Sequence, residues 1–346
     1  MNPAAPESTN EFYRDLPKID LHRHLEGSLR IRTMMDVART HGMNLQSTDF
    51  LRPLVQVRED EPLTFQNFLS KFTTLRQFYR SPEIISRITR EAISDAAVDN
   101  VRYLELRFTP VALSRFGGFS LSEVIDWVTE ESNQAAEEFG LQVRLIASVN
   151  RHESVDLATE VMRLAIDRQD QGLVGLDLAG NEAQFPASPF IGVFNEARQA
   201  GLHLTVHAGE WGSAGNVAAA IVQLNAERIG HGVRILEDPA VVAIARGRGI
   251  PFEVCITSNY QTGVVPALSA HPLAEMLKSG LNVTINTDDP SISQITLSDE
   301  YRRACQDLGL TLDDLRACVL SAAEAAFLPE GERQQLVSRM AAEFPG

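Results

Sequence analysis

Cysteine is scarce in this chain of 346 residues: there are three, Cys255, Cys305 and Cys318. Their number is odd and none stands in CxxC spacing, so neither a disulfide framework nor a cysteine zinc site is indicated, and they read as reduced thiols. Positive charge is also in deficit, with 31 Lys and Arg against 46 Asp and Glu and a net charge of −15. Such a surface repels a polyanion, which argues against nucleic acid as a partner. No uncharged apolar run reaches the roughly 18 residues of a membrane span, so no membrane partner is expected. The opening MNPAAPESTNEFYRD lacks the apolar core of a secretory signal. A cytoplasmic protein is the default expectation. Low-complexity blocks and linkers are lacking too, while 44% hydrophobic residues suffice for one large core.

What the chain does contain is alternation. Eight short apolar runs read as strands, at 18–22, 101–108, 143–149, 173–178, 202–207, 228–231, 251–255 and 281–286, with helix-length segments between most of them. Repeated βα units argue for a parallel sheet, and eight of them for a closed TIM-like (β/α)8 barrel. The expectation is therefore one α/β barrel domain over 1–346, with 1–16 as a polar N-terminal extension. Residues 31–79 exceed one crossover helix and predict extra helices over the barrel mouth. Segments 310–324 and 330–343 read as closing helices.

Three fragments place metal-ligating side chains at strand ends: His22-Arg23-His24 in KIDLHRHLEG, His207 in LTVHAGE, and Asp288-Asp289 in VTINTDDP. Residues i and i+2 of a strand point the same way, so His22 and His24 project side by side. Imidazole and carboxylate are usual zinc ligands, and a catalytic site needs about three or four protein donors plus an open position. His22, His24, His207 and Asp288 make that number. Barrel active sites sit at the C-terminal ends of the strands, where these residues fall. His203, deeper in its strand, reads as a packing or buried hydrogen-bonded histidine. His41 and His271 have no partner motif and read the same way, while His152 lies nearer the mouth without an assigned role.

The motifs LHRHLEGS, FLSKF, YLELRFTP, LDLAGNE, VHAGE, ERIGHGV, CITSNYQTG, NTDDP and AAFLPE together resemble the adenosine/adenine deaminases of the amidohydrolase superfamily, most closely the bacterial branch. That resemblance covers nearly the whole chain. It implies a (β/α)8 barrel, one zinc ion per chain held by His22, His24, His207 and Asp288, and hydrolytic removal of the purine 6-amino group. It also implies that Glu210 shuttles the proton to purine N1, and that His231 orients the attacking hydroxide. Asp289 would accept from the same water and bind N7, and the Gly180 N–H would meet N3. Many relatives in the superfamily hold two metals with a carboxylated lysine after the fourth strand. Here only Lys18, Lys71 and Lys278 exist, and none is near that strand, so one metal is expected.

Departures from the family pattern fall where specificity is set. Glu26 stands where adenosine deaminases usually carry Asp for the ribose 5′-hydroxyl, and Glu there is common among adenine deaminases. Phe68, Leu69 and Phe72 in FLSKF resemble the hydrophobic lid over the ribose, with His24 beside the substrate. Adenosine or 2′-deoxyadenosine is the expected substrate, in purine salvage. Alternatives are adenine, another adenine nucleoside such as aminodeoxyfutalosine, or a catalytically silent purine-binding protein on the same barrel. Oligomeric state is not legible.

Overall fold

The computed structural model describes residues 10–345. Eight strands follow one another in chain order around a single sheet: β1 Lys18–His24, β2 Val101–Phe108, β3 Gln142–Asn150, β4 Leu173–Ala179, β5 His203–Ala208, β6 Arg228–His231, β7 Pro251–Val254 and β8 Asn282–Ile285. Each adjacent pair from β1–β2 to β7–β8 is parallel. Helices lie between the strands, giving the (β/α)8 barrel that the alternation predicts.

Strand composition explains which face goes where. Leu104, Leu106, Leu176, Leu178, Leu204 and Val206 are fully buried, one face of their strands meeting the helical ring. The alternate positions are polar, and they bond across the barrel: Arg107 of β2 reaches Glu253 of β7 at 2.7 Å, and Arg228 of β6 bonds Glu105 of β2 and, at 2.7 Å, Glu253. Period-two alternation thus yields an apolar exterior and an ionic interior.

Closure between β8 and β1 is made at the mouth. Asp288 N donates to His22 O at 2.7 Å, and His24 N donates to Asp288 O at 2.8 Å. Deeper down, Leu21 N donates to the Asn286 side chain at 2.8 Å. The seam of the barrel therefore runs through the residues with metal-ligating side chains.

Three helices, Ile31–Thr40, Thr48–Val55 and Phe65–Leu75, occupy the long segment after β1, and Phe68 and Phe72 from the last of them line the mouth. Helices Leu312–Ala325 and Glu330–Glu343 close the chain. In the N-terminal extension Asn10–Asp15 is a helix that packs on helix Leu297–Gln306, with Tyr13 and the following Leu16 buried. Residues 1–9 of the extension lie outside the described residues. His203 packs as read, stacked on Phe327 and paired with Glu227 at 2.9 Å, with its side chain one-third exposed at the barrel floor. No described helix is long and apolar enough to cross a membrane.

Candidate active site

Strand ends bring four donors to one point. The ligand atoms of His22, His24, His207 and Asp288 all lie within 4.8 Å of one another. His24 Nε2 is 3.3 Å from His207 Nε2, and Asp288 Oδ1 is 3.3 Å from His22 Nε2 and 3.4 Å from His24 Nε2.

Two of these rings are oriented from below. His22 Nδ1 faces Glu253 Oε2 at 2.7 Å, and His207 Nδ1 faces Asp177 Oδ1 at 3.0 Å. Burial raises the pKa of both carboxyls, but Arg107 and Arg228 beside Glu253, and His207 and Arg107 beside Asp177, outweigh it and hold both well below the usual range. Ionised carboxylates only accept, so each Nδ1 carries a proton and it is Nε2 of each ring that is left to offer a lone pair to the cluster. His22 Nε2 is buried with no hydrogen-bond partner. Lone pairs this close repel unless a cation lies between them, so the donor set fits a divalent metal. His231, Cys255 and Asp288 form a second grouping. Burial pushes the Cys255 thiol well up, and it contacts Glu253 O at 3.6 Å, so it is a poor ligand.

Above the donors lies a cavity of about 100 Å³. His231 Nε2 is 3.6 Å from Glu210 Oε2 and 4.0 Å from Asp288 Oδ2. Burial, and then Asp288 and Glu182, push the Glu210 carboxyl well above its ordinary value. Asp289 is pushed well up by burial and then by Asp288, Glu26 and Glu210. Burial raises Glu26 as well. The Glu210 loop is fixed by Glu182, whose carboxylate accepts from Gly209 N at 2.9 Å, Glu210 N at 2.6 Å and Trp211 N at 2.8 Å.

Backbone strain collects here. His231 and Asp288 have φ of 60° and 62°, a region costing a residue with a side chain about 1–3 kcal/mol and characteristic of functional sites. Gly27 is needed for room, since a Cβ there would lie 1.8 Å from Asp289 Oδ1. Gly180 is needed for its φ of 94°; a Cβ there meets nothing closer than 3.5 Å.

A family profile described as adenosine deaminase matches residues 17–343. The chain belongs to the adenosine deaminase family. It is 38% identical over 329 residues to the adenosine deaminase of Erwinia tasmaniensis, covering 94% of this chain and 98% of that one. Among solved structures it resembles the adenine deaminase of Arthrobacter aurescens, with a TM-score of 0.87 at 28% identity, covering 94% of this chain and 98% of that one. An amidohydrolase from Burkholderia ambifaria with bound zinc superposes with a TM-score of 0.88 at 27% identity, covering 99% and 96%.

Every site residue singled out in the sequence of this adenosine deaminase relative reaches the same mouth. His24, Glu26, Phe68, Leu69, Phe72 and Gly180 line the cavity, as do His207, Glu210, His231, Asp288 and Asp289; His22 lies beneath them, fully buried. His152 stands aside, 40% exposed and 3.3 Å from Glu153. The residues that sequence reasoning missed are the supports: Glu253, Asp177, Arg107, Glu182 and Asn259. A signal was available for Arg107 alone, because Glu105 and Arg107 alternate in ELRF and mark an inward face that must be paired, whereas Asp177 and Glu253 are single charges in their strands.

Proposed function

We propose that the chain is a zinc-dependent aminohydrolase converting adenosine or 2′-deoxyadenosine to inosine or 2′-deoxyinosine and ammonia. The observation that carries this reading is the convergence of unpartnered polar atoms on one cavity. Buried Glu26 Oε2, Trp211 Nε1, Ser258 Oγ and Asp289 Oδ1 have no hydrogen-bond partner, and all four residues line it. Buried polar groups are almost always paired, so this cavity is built for a polar ligand.

His22, His24, His207 and Asp288 would hold the zinc, which when bound lowers the pKa of water to about 7 and so supplies a nucleophile at neutral pH. Asp289 and His231 orient the attacking oxygen toward purine C6. Glu210, its carboxyl pushed well up by burial and then by Asp288 and Glu182, gives its proton to N1 as electrons move there from the C6–N1 double bond. Its carboxylate then takes a proton from the added hydroxyl and delivers it to the 6-amino group, so that the C6–N bond breaks and ammonia leaves. The Gly180 N–H approaches N3, and Phe68, Leu69 and Phe72 cover the sugar. Glu26 selects between nucleoside and base: Oε1 already accepts from Thr109 N at 2.6 Å, while the unpartnered Oε2 calls for a donor such as the ribose 5′-hydroxyl, which adenine lacks.

Residues 1–346 are read as one deaminase unit, in keeping with the profile match over 17–343, acting on a small purine in the cytoplasm. The test is a panel of adenosine, 2′-deoxyadenosine, adenine, AMP and aminodeoxyfutalosine with zinc-loaded protein, followed by the ultraviolet change on deamination. The two nucleosides should have the highest kcat/KM. Adenine as the best substrate would replace the nucleoside reading, and silence on the whole panel would favour a binding protein.

A further inference from the structure

His231 has a second ring nitrogen, and that nitrogen begins a buried chain of hydrogen bonds leading away from the cavity. His231 Nδ1 is 3.1 Å from Asn259 Nδ2, Asn259 Oδ1 is 3.2 Å from His271 Nε2, and Leu273 N donates to His271 Nδ1 at 3.2 Å. His231, Asn259 and His271 are 1%, 0% and 6% exposed, so water does not substitute for any link. Asn259 belongs to helix Ile256–Gln261 after β7, and His271 precedes helix Leu273–Lys278. Neither lines the substrate cavity.

The far end of this chain is a backbone amide, and a backbone amide can only donate. His271 Nδ1 must therefore accept. Burial pushes the His271 imidazole down to about 3, so at neutral pH the ring has a single N–H, which must be on Nε2. The Asn259 atom facing it must then be the carbonyl oxygen, which fixes the orientation of the amide. The opposite side of the amide is NH2, so His231 Nδ1 receives a hydrogen bond and its own proton resides on Nε2, the nitrogen facing Glu210 and Asp288. Each step follows from donor and acceptor capacity.

We propose that His271, acting through Asn259, is a positioning residue that fixes the tautomer of His231, so that His231 presents an N–H donor rather than a proton acceptor to the attacking oxygen. This rests on the aminohydrolase reading for its consequence, but the tautomer itself is independent of it. A histidine so held stabilises negative charge on the nucleophile and does not compete with Glu210 and Asp289 for its proton.

The experiment uses full-length, zinc-loaded protein labelled with 15N in histidine. Two-bond proton–nitrogen correlations report which ring nitrogen carries the proton, with His231 assigned by its loss in His231→Asn. The natural protein should show the Nε2–H pattern for His231. Asn259→Asp keeps the shape but has no N–H, so the His231 proton should move to Nδ1, or both nitrogens should be protonated, and kcat for adenosine should fall about 10²-fold or more. KM and zinc content should hardly change. His271→Leu should give a mixed tautomer and a smaller loss, while His271→Gln, whose amide can accept from Leu273 N and donate to Asn259, should recover both the pattern and most of kcat. An unchanged Nε2–H pattern in Asn259→Asp would overturn the proposal, as would equal losses in His271→Gln and His271→Leu. If His271→Leu fails to fold, the near-isosteric Asn259→Asp carries the test alone. Natural protein without deaminase activity but with the expected tautomers would count against the enzymatic reading and leave the relay standing.

Discussion

Two layers of the barrel interior hold carboxyl groups at nearly equal burial and drive them in opposite directions. In the lower layer Asp177 and Glu253 are 0% exposed and depressed, Asp177 by His207 and then Arg107, Glu253 by Arg107 and then Arg228; in the upper layer Glu26, Glu210 and Asp289 are 3%, 5% and 3% exposed and raised. Burial is therefore not what decides ionisation here. The companion is: a guanidinium is within 2.7 Å of Glu253, whereas Glu210 and Asp289 face other carboxyls, and around Glu26 the Thr109 bonds and Arg76 do not offset burial. The lower layer is complete in itself and aims two imidazoles. The upper layer has Arg76 beside Glu26, and the further positive charge it needs is what a divalent cation at the donors and the hydrogen-bond donors of a substrate would supply.

The comparison breaks most sharply at Glu210. If the upper carboxyls act by carrying protons, Glu210→Gln keeps its size and the Glu182 anchorage of its loop but cannot cycle a proton, so kcat should fall about 10³-fold while zinc content stays at one per chain. Steady-state kinetics with metal analysis checks this. Activity within a few-fold of the natural protein would remove Glu210 from the proton path.

The lower layer should break differently, in stability. Arg107 donates to Glu253 at 2.7 Å and to Leu21 O at 2.7 Å, and its Nη1 lies 3.5 Å from Asp177. Arg107→Met removes a charge that two buried carboxylates rely on, a loss of about 3–5 kcal/mol for a broken buried pair. Urea unfolding of zinc-free protein measures it directly, apart from any effect on catalysis. A cost near zero would mean that water or Arg228 can replace the missing charge.

The sequence makes the upper layer more legible than the lower. His22 and His24 announce themselves by i, i+2 spacing on a strand, and Asp288, Asp289, Glu210 and Gly180 sit in short motifs at strand ends, where barrel chemistry is placed. Strand order and the extra helices after β1 also follow from apolar runs and segment length. Glu253 and Asp177 do not stand out, because a single carboxylate inside a strand gains meaning only through partners on other strands, such as Arg107. Asn259 and His271 are twelve residues apart and meet only once the loop after β7 has folded. Pairings of that kind depend on tertiary geometry and leave no spacing to read.

Glu300 offers a third setting that sharpens the comparison, since it is buried with neither a guanidinium bond nor a metal ligand beside it. Its carboxylate accepts from Thr257 N at 3.1 Å and from the Thr257 hydroxyl. Burial raises its pKa, the Thr257 bonds and then Arg303 lower it, and the balance stands at about 7, against 4.5 ordinarily. Below pH 4.5 both folded and unfolded chains carry this proton, and the folded state has the full benefit. As pH rises from 4.5 to 7 the unfolded chain releases the proton while the folded chain retains it, so stability falls, by about 3 kcal/mol once pH passes 7. Glu300→Gln is neutral throughout. With zinc saturating in both proteins, the unfolding free energy of the variant relative to the natural protein should rise between pH 5 and 8 by up to that amount, in a direction opposite to that expected for the ion-paired Glu253. Parallel stability curves would show that burial without a cation does not raise a carboxyl in this barrel, and the contrast between the two layers would lose its physical basis.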